Sequence, residues 1–339
     1  MPRTLTLPGF VNAHSHAFQR ALRGRAAGGD FWAWRDVMLD EASRQTAATV
    51  RELYARTYRE MRAAGYTAVG EFHYLGVETA LAAAEAAEEA GIDFTCLHVA
   101  YARGGLERMR QGSIGEYLGE LEELRSRGVR VGVAPHSVRA CPRQWLEELG
   151  RYAADGGLVL HVHADEQPRE IDECLAEHGV RPVELLAATG CLGERTTVVH
   201  ATHANGAELD LLRDSGARIC ACPTTEADLG DGFLPAVRVA HRGIPLCIGS
   251  DSNVRIDPLE ELRELEGIAR RQDGRRGVFP TEELWQIGGP NGARSLGLDA
   301  WDEIEVDLDH RSLEGVEPEH VHAALVAGCG ADVVSQSSR

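Results

Sequence analysis

The 339-residue chain carries 53 acidic against 35 basic side chains, a formal charge of −18, with 43 % apolar residues. That apolar content excludes a disordered chain, and the acidity excludes a surface built for nucleic acid or an anionic membrane. Lysine is absent, so all 35 basic residues are arginine, which excludes a lysine Schiff base, a pyridoxal-phosphate anchor, a Walker-type phosphate lysine and a carbamylated-lysine metal bridge.

The length suits one large barrel-type domain with appendages, or two domains. The N-terminal MPRTLTLPGFVNAHSH has neither the basic stretch nor the long apolar run of a signal peptide. No window reaches about 18 uninterrupted apolar residues, so no membrane span is expected. Eight cysteines without a secretion signal read as reduced thiols, and a cytoplasmic location is expected.

Short β-rich apolar runs then recur with helical stretches between them. The first run is Leu5–His14 and the second Tyr66–His73, followed by an Ala/Glu-rich helix at Val77–Ala90. Next come Asp93–Tyr101, a helix at Ile114–Arg127, and the runs Arg130–Ser137, Leu158–His163 and Thr197–His200. Ala217–Pro223 and Ile244–Ser250 complete the runs, and a helix at Leu259–Arg271 follows. Gly65, Gly91, Gly128, Gly216 and Gly243 stand where helices should stop. Strands alternating with helices imply parallel pairing through right-handed crossovers, and eight such units predict an α/β fold of the (β/α)8 TIM-barrel kind. No glycine-rich dinucleotide fingerprint follows the first strand, which weakens an open doubly wound sheet. The barrel is predicted over residues 1–297. Beyond Gly297 the pattern fades into WDEIEVDLDH, read as one or two extra strands, and residues 298–339 are expected to be a short C-terminal remnant with a frayed tail ending SQSSR.

In such a barrel, function concentrates where strands end, and polar, metal-competent residues do close these runs. His14 and His16 end the first, His73 the second, Tyr101 the third and His136 the fourth. His161, His163 and Glu166 end the fifth, His200 the sixth and Asp251 the eighth. His14-Ser15-His16 places two imidazoles on one side of a strand, since side chains alternate with period two. Two core histidines at that spacing would look the same, so the pair gains meaning only from partners at the same rim. His163 offers one, and Asp251 is the expected anionic ligand, a helix N-cap being its other reading. Glu166, three residues beyond His163, would overhang the metal and carry a proton to or from bound water. His200 would hold the attacking oxygen or polarise the substrate. His161 shares the parity of His163 but lies deeper, as a barrel filler. His203 reads as structural, and the Cys220/Cys222 pair as core packing.

NAHSHAFQRALRG, FWAWRD, AGYTAVGEFHY, APHSVRA, HADEQPREIDECLA, VHATH, CPTTEADLGDG and GSDSNV are collinear over roughly residues 7–297. Together they resemble the formimidoylglutamate deiminase family of the amidohydrolase superfamily. HxH alone marks only the superfamily, whereas HAFQRALRG, HSVRA and TTEADLGDG are specific to this branch. The resemblance implies a mononuclear zinc enzyme of bacterial histidine degradation, converting N-formimino-L-glutamate and water to N-formyl-L-glutamate and ammonia. It implies His14, His16, His163 and Asp251 as zinc ligands, Glu166 as proton shuttle and His200 as polarising histidine, with Asp251 also orienting the attacking oxygen. Gln19, Arg35, Tyr101, His136 and Arg139 match positions lining the family's substrate pocket. Family members carry an N-terminal β-sandwich portion before the first barrel strand, whereas this chain starts almost at that strand. A reduced or missing small β-sandwich domain is therefore expected.

The substrate makes sense of the arginines. A dicarboxylate can be gripped at each end by a planar guanidinium, and Arg35 and Arg139 both follow barrel strands. The expected partner is thus a small dicarboxylate, with no nucleic acid or membrane, and a homodimer is compatible with the sequence. Zinc would bring a bound water's pKa to about 7, while the same nitrogen and oxygen donors accept iron, cobalt or nickel. Two other readings stand beside this one: a related zinc aminohydrolase acting on another amidine or aminated heterocycle, and a non-enzymatic relative that only binds a ligand. The complete set of ligand and shuttle residues weighs against the latter.

Overall fold

The computed structural model describes residues 3–25 and 28–335. Its centre is an eight-stranded parallel sheet in the order β2-β3-β4-β5-β6-β7-β8-β9. The strands are β2 Phe10–Ser15, β3 Tyr66–His73, β4 Asp93–Ala100, β5 Val131–Pro135, β6 Leu160–Ala164, β7 Thr196–His200, β8 Arg218–Ala221 and β9 Leu246–Ile248. Helices cover the outside, beginning with α1 Phe31–Ser43, α2 Ala47–Ala63, α3 Val77–Ala90, α4 Ile114–Ser126, α5 Arg143–Gly156 and α6 Pro168–His178. Strands buried on both faces read as continuous apolar runs, and every residue of β3 is buried accordingly. The predicted barrel is present, with its runs within a few residues of the strands.

The first run departs from expectation. Leu5–His14 is two elements: β1 Thr4–Pro8 lies outside the barrel, and Gly9 separates it from β2. β1 pairs antiparallel with β10 Glu303–Asp307, the single strand formed by the acidic WDEIEVDLDH segment, from Thr4↔Asp307 to Pro8↔Glu303. Among the described residues, this two-stranded sheet stands where a reduced or missing β-sandwich domain was expected. Ser335 bonds back to the Glu305 carbonyl, and residues 336–339 of the expected frayed tail lie outside the described residues.

The barrel closes through residues just past its strand ends. The Asp251 amide donates to the His14 carbonyl (3.0 Å), and the His16 amide to the Asp251 carbonyl (2.8 Å). Gly249 makes this possible, because a Cβ there would sit 2.7 Å from the His14 carbonyl oxygen and 2.8 Å from its Cβ. Inside the barrel, Ala13, Val199, Cys220, Cys222 and Cys247 pack into a small buried cluster, so the two cysteines of the CxC pair are core residues. His161 fills the same interior, its Nε2 2.8 Å from the Ser295 carbonyl. Among the described residues, no helix is long and apolar enough to cross a membrane.

Candidate active site

The strand ends at one mouth of the barrel hold strained backbone. Asp165, His200, Ala201, Asp251 and Asn253 all have positive φ, between 40° and 71°. Each such residue costs of order 1–3 kcal/mol, and persists only where its surroundings over-determine it. Around Asp251 those surroundings are a buried polar staple. Asn12 Nδ2 donates to the Ser250 hydroxyl (2.6 Å), which donates to Asn253 Oδ1 (2.7 Å). Asn253 Nδ2 reaches both Ser15 Oγ (3.1 Å) and the Asp251 carbonyl (2.9 Å). The loop carrying Asp251 is thereby fastened to the strand carrying His14 and His16.

Those three residues and His163 converge. His14 Nε2 lies 3.3 Å from His16 Nε2, 3.0 Å from His163 Nε2 and 3.5 Å from an Asp251 carboxylate oxygen, which is 3.3 Å from His16 Nε2. Donors bound tetrahedrally at about 2.0–2.1 Å from zinc would be spaced by roughly 3.3 Å. The hydrogen bonding agrees. His16 Nδ1 is 3.0 Å from the Phe72 carbonyl and His163 Nδ1 is 3.0 Å from the His136 carbonyl. Each Nδ1 must therefore carry the proton, leaving a bare lone pair on each Nε2. Burial keeps these rings neutral, with the pKa of His16 pushed down to about 3 and that of His163 well below its usual range. The Asp251 carboxyl is held well below the ordinary range: burial opposes this, and the His14 and His16 rings beside it outweigh it. Facing lone pairs with no proton between them call for a cation, so this donor set fits a divalent transition metal.

Glu166 and His200 stand beside the quartet. Glu166 Oε1 is 3.7 Å from His200 Nε2, which is 3.8 Å from Asp251 Oδ2. Burial raises the Glu166 pKa above the ordinary carboxylate range, with His200 and Arg139 pulling against it. His200 behaves oppositely: burial disfavours its charge, yet the Glu166, Glu226 and Asp251 carboxylates hold its pKa well above the usual value. Glu226 is the group that aims it, accepting from the Cys222 amide (2.9 Å) while lying 3.3 Å from His200 Nδ1. Behind Glu166, the Glu170 carboxylate accepts from the Glu166 amide (3.1 Å) and lies 3.7 Å from Arg139 Nε. Arg139 in turn reaches Glu166 Oε2 at 3.4 Å.

A cavity of about 310 Å³ opens over this cluster. Every residue expected in the substrate pocket lines it: Gln19, Arg35, Tyr101, His136 and Arg139, together with Glu166, His200 and Asp251. His14 sits beneath, fully buried. Gln19 Nε2 donates to the Tyr74 hydroxyl (3.1 Å), and the His136 and Tyr101 rings lie 4.5 Å apart. His73 does not join them. Phe72 takes the inward position on β3, touching the His14, His16 and His163 rings, so His73 points outward and bonds Thr79 (2.8 Å). His203 also stays outside the lining, its amide donating to the Asp165 carbonyl (2.9 Å). Sequence reasoning missed Glu226, Glu170 and Tyr74. A carboxylate four residues after Cys222 and another four after Glu166, each in the first turn of a helix following a barrel strand, were the available signals.

A barrel of this kind with an HxH pair, a third histidine and an aspartate at its mouth defines a metal-dependent hydrolase, and the match is family-wide. Residues 5–306 match the amidohydrolase family, and the chain belongs to it, as a hydrolase acting on C–N bonds. Among curated relatives it is similar to the formimidoylglutamate deiminase of Pseudomonas aeruginosa, 38 % identical over 312 residues that cover 83 % of this chain and 68 % of the relative. It is also similar to the 5-methylthioadenosine/S-adenosylhomocysteine deaminase of Natronomonas pharaonis, 30 % identical over 87 % of this chain and 69 % of that protein. Of solved structures, an amidohydrolase from Brucella melitensis superposes with TM-score 0.84 at 30 % identity, covering 97 % of this chain and 84 % of its own. A zinc-bound adenosine deaminase from Xanthomonas campestris shares the fold, with TM-score 0.89 at 24 % identity over 98 % of this chain and 78 % of its own.

Proposed function

We propose that this chain hydrolyses N-formimino-L-glutamate to N-formyl-L-glutamate and ammonia. The observation that carries the reading is the pair Arg35 and Arg139 lining the same cavity as Glu166 and Asp251 in a protein of net charge −18. In so acidic a chain, guanidinium groups gathered over the reacting centre make a locally positive cup suited to a dicarboxylate. The likeness to the Pseudomonas aeruginosa deiminase supports the same substrate.

His14, His16, His163 and Asp251 would hold one zinc ion. When bound, zinc makes a water nucleophilic at neutral pH. Glu166 takes a proton from the attacking water and hands it to the departing nitrogen, a task suited to a carboxyl whose pKa burial has raised. His200, aimed by Glu226 and kept cationic by the carboxylates around it, donates a hydrogen bond towards the reacting carbon's substituents. Arg139 and Arg35 grip the carboxylates, and Gln19, Tyr101 and His136 complete the walls. Burial and the Arg139 charge hold His136 neutral, so it offers a hydrogen bond without a further positive charge.

The aromatic part of the wall, Trp34, Tyr74 and Tyr101, favours a second reading in which an aminated heterocycle stacks there. Ammonia release from N-formimino-L-glutamate by zinc-loaded protein, run beside 5′-methylthioadenosine, separates the two. Turnover of the first alone is expected. Formamide in place of ammonia, or turnover of the nucleoside alone, overturns the assignment.

A further inference from the structure

One aromatic ring at the cavity mouth collects three cations. The guanidinium carbons of Arg169, Arg139 and Arg35 lie 4.4, 5.8 and 6.0 Å from the centre of the Trp32 ring. They come from three different connections: Trp32 and Arg35 from α1 after β2, Arg139 from the turn after β5, and Arg169 from the first turn of α6 after β6. All four residues line the cavity that holds Glu166. Three like charges on one ring repel one another, and the negative face of the indole offsets that repulsion.

The way each arginine is held decides what it has left to offer. Arg103 lines the same cavity but is spent: it grips Glu177 through two nitrogens (2.9 and 2.7 Å) and the Arg139 carbonyl through a third (2.7 Å). Arg35 has no carboxylate within 4.0 Å among the described residues, so the ring is its anchor. A cation held by an aromatic face keeps its N–H donors for another partner, whereas one gripped through two nitrogens by a carboxylate has committed those donors. The three also differ in depth. Arg139, beside Glu166, is largely buried, while Arg169 is exposed and, among the described residues, paired only with Glu173 on its own helix (2.7 Å), a weak and exchangeable contact. The ring thus spaces one guanidinium at the reacting end from another at the outer end.

Resting on the deiminase reading above, we propose that Trp32 is the positioning residue of this arginine set and that Arg169, with Arg35, receives the distal carboxylate of the dianionic substrate. Selection for a second negative charge then lies at the mouth, and a neutral nucleoside leaves these donors unsatisfied.

The test measures calorimetric binding of two probes to zinc-loaded protein. N-formyl-L-glutamate carries both carboxylates, and N-formyl-L-2-aminobutyrate lacks the distal one. Trp32→Leu should weaken the first at least tenfold and the second less than threefold, and Trp32→Phe, which keeps a ring, should restore binding to within threefold. Arg169→Gln should weaken the dianion about fivefold and spare the monoanion. In turnover of N-formimino-L-glutamate, these losses should fall on KM more than on kcat. Equal weakening of both probes, no weakening, or a Phe variant as poor as Leu would overturn the proposal. If the wild type binds N-formyl-L-glutamate with this pattern but releases no ammonia, the cluster stands and the deiminase reading falls. If it releases ammonia while Trp32→Leu keeps its preference for the dianion, the cluster falls and the deiminase reading stands.

Discussion

Strand β3 separates two buried polar regions that look alike in composition and behave differently. Inside the barrel, at the tip of Phe72, lie His14, His16 and His163. Outside it, between β3 and the helices, lie Glu71, His73 and His98. Both regions hold titratable groups shifted far from their usual range, with His16 and His73 each pushed down to about 3 by burial. In the outer region each side chain has one polar partner of its own and one buried atom without any, and the unpartnered atoms are not brought together: His73 Nε2 meets Thr79 (2.8 Å), His98 Nε2 meets Glu120 (2.9 Å), and Glu71 Oε1 accepts from the Ala17 amide (2.8 Å). In the inner region the second nitrogens of His16 and His163 are tied to carbonyls, and the remaining lone pairs point at one another. A buried, shifted histidine is therefore a poor marker of function by itself. Convergent lone pairs that nothing in the protein satisfies are the better one.

The sharpest test of that contrast pairs two histidine substitutions. His163→Ala should abolish stoichiometric metal binding and lower kcat/KM by at least about a thousandfold, since it removes one of four donors to the group that activates water. His73→Ala should keep its metal and lose only about 1–3 kcal/mol of stability, the cost of a broken buried contact. Metal analysis with urea unfolding of both variants decides the matter, and metal loss in His73→Ala would break the comparison.

A smaller effect is expected at Glu166, which belongs to the inner region without being one of the four donors. Glu166→Gln should retain metal and lose roughly 10²–10⁴ in kcat, as expected for removing a general acid–base. Near-wild-type turnover with metal bound would remove Glu166 from the proton path.

The outer region carries its own pH signature. Burial pushes the Glu71 carboxyl up to about 8, so the folded protein keeps that proton after the unfolded chain has lost it. Ionisation then favours the unfolded chain as pH rises above about 4.5, the ordinary glutamate range. From there to about 8, this group should cost the fold up to about 1.4 kcal/mol per pH unit, with no further loss above. Glu71→Gln removes the titration, so its stability should match the wild type near pH 4.5 and exceed it at pH 8. Parallel profiles from urea unfolding across that range would show that Glu71 is ionised in the fold.

Much of the architecture was legible because it is written in local patterns. Apolar runs, glycines at helix ends and charged or Ala/Glu-rich stretches located nearly every strand and three of the helices but neither α1 nor α2, and α3 spans the predicted Val77–Ala90. The candidate metal quartet was legible too, since His14 and His16 share a strand face by period, and His163 near the end of β6 and Asp251 after β9 belong to strands of the same sheet. Three features were not. Gly9 divides one apolar run between a barrel strand and a two-stranded sheet because β1 finds its partner at Glu303–Asp307, close to the other end of the chain. His73 faces outward because Phe72 occupies the interior, and a one-residue difference in parity reverses every side chain on a strand. Glu226 and Glu170 act through His200, Glu166 and Arg139, contacts that spacing along the chain does not announce.

The amino-acid order alone thus determined the repeating units, the absence of any lysine chemistry and which side chains can ligate a metal, since these depend on residue identity and short-range periodicity. Only the tertiary structure decided which lone pairs meet, how Asp251 is bent back against His14 to close the barrel, and which arginines keep free donors. Those outcomes depend on distances between segments hundreds of residues apart and on competition among partners, both settled when the chain packs.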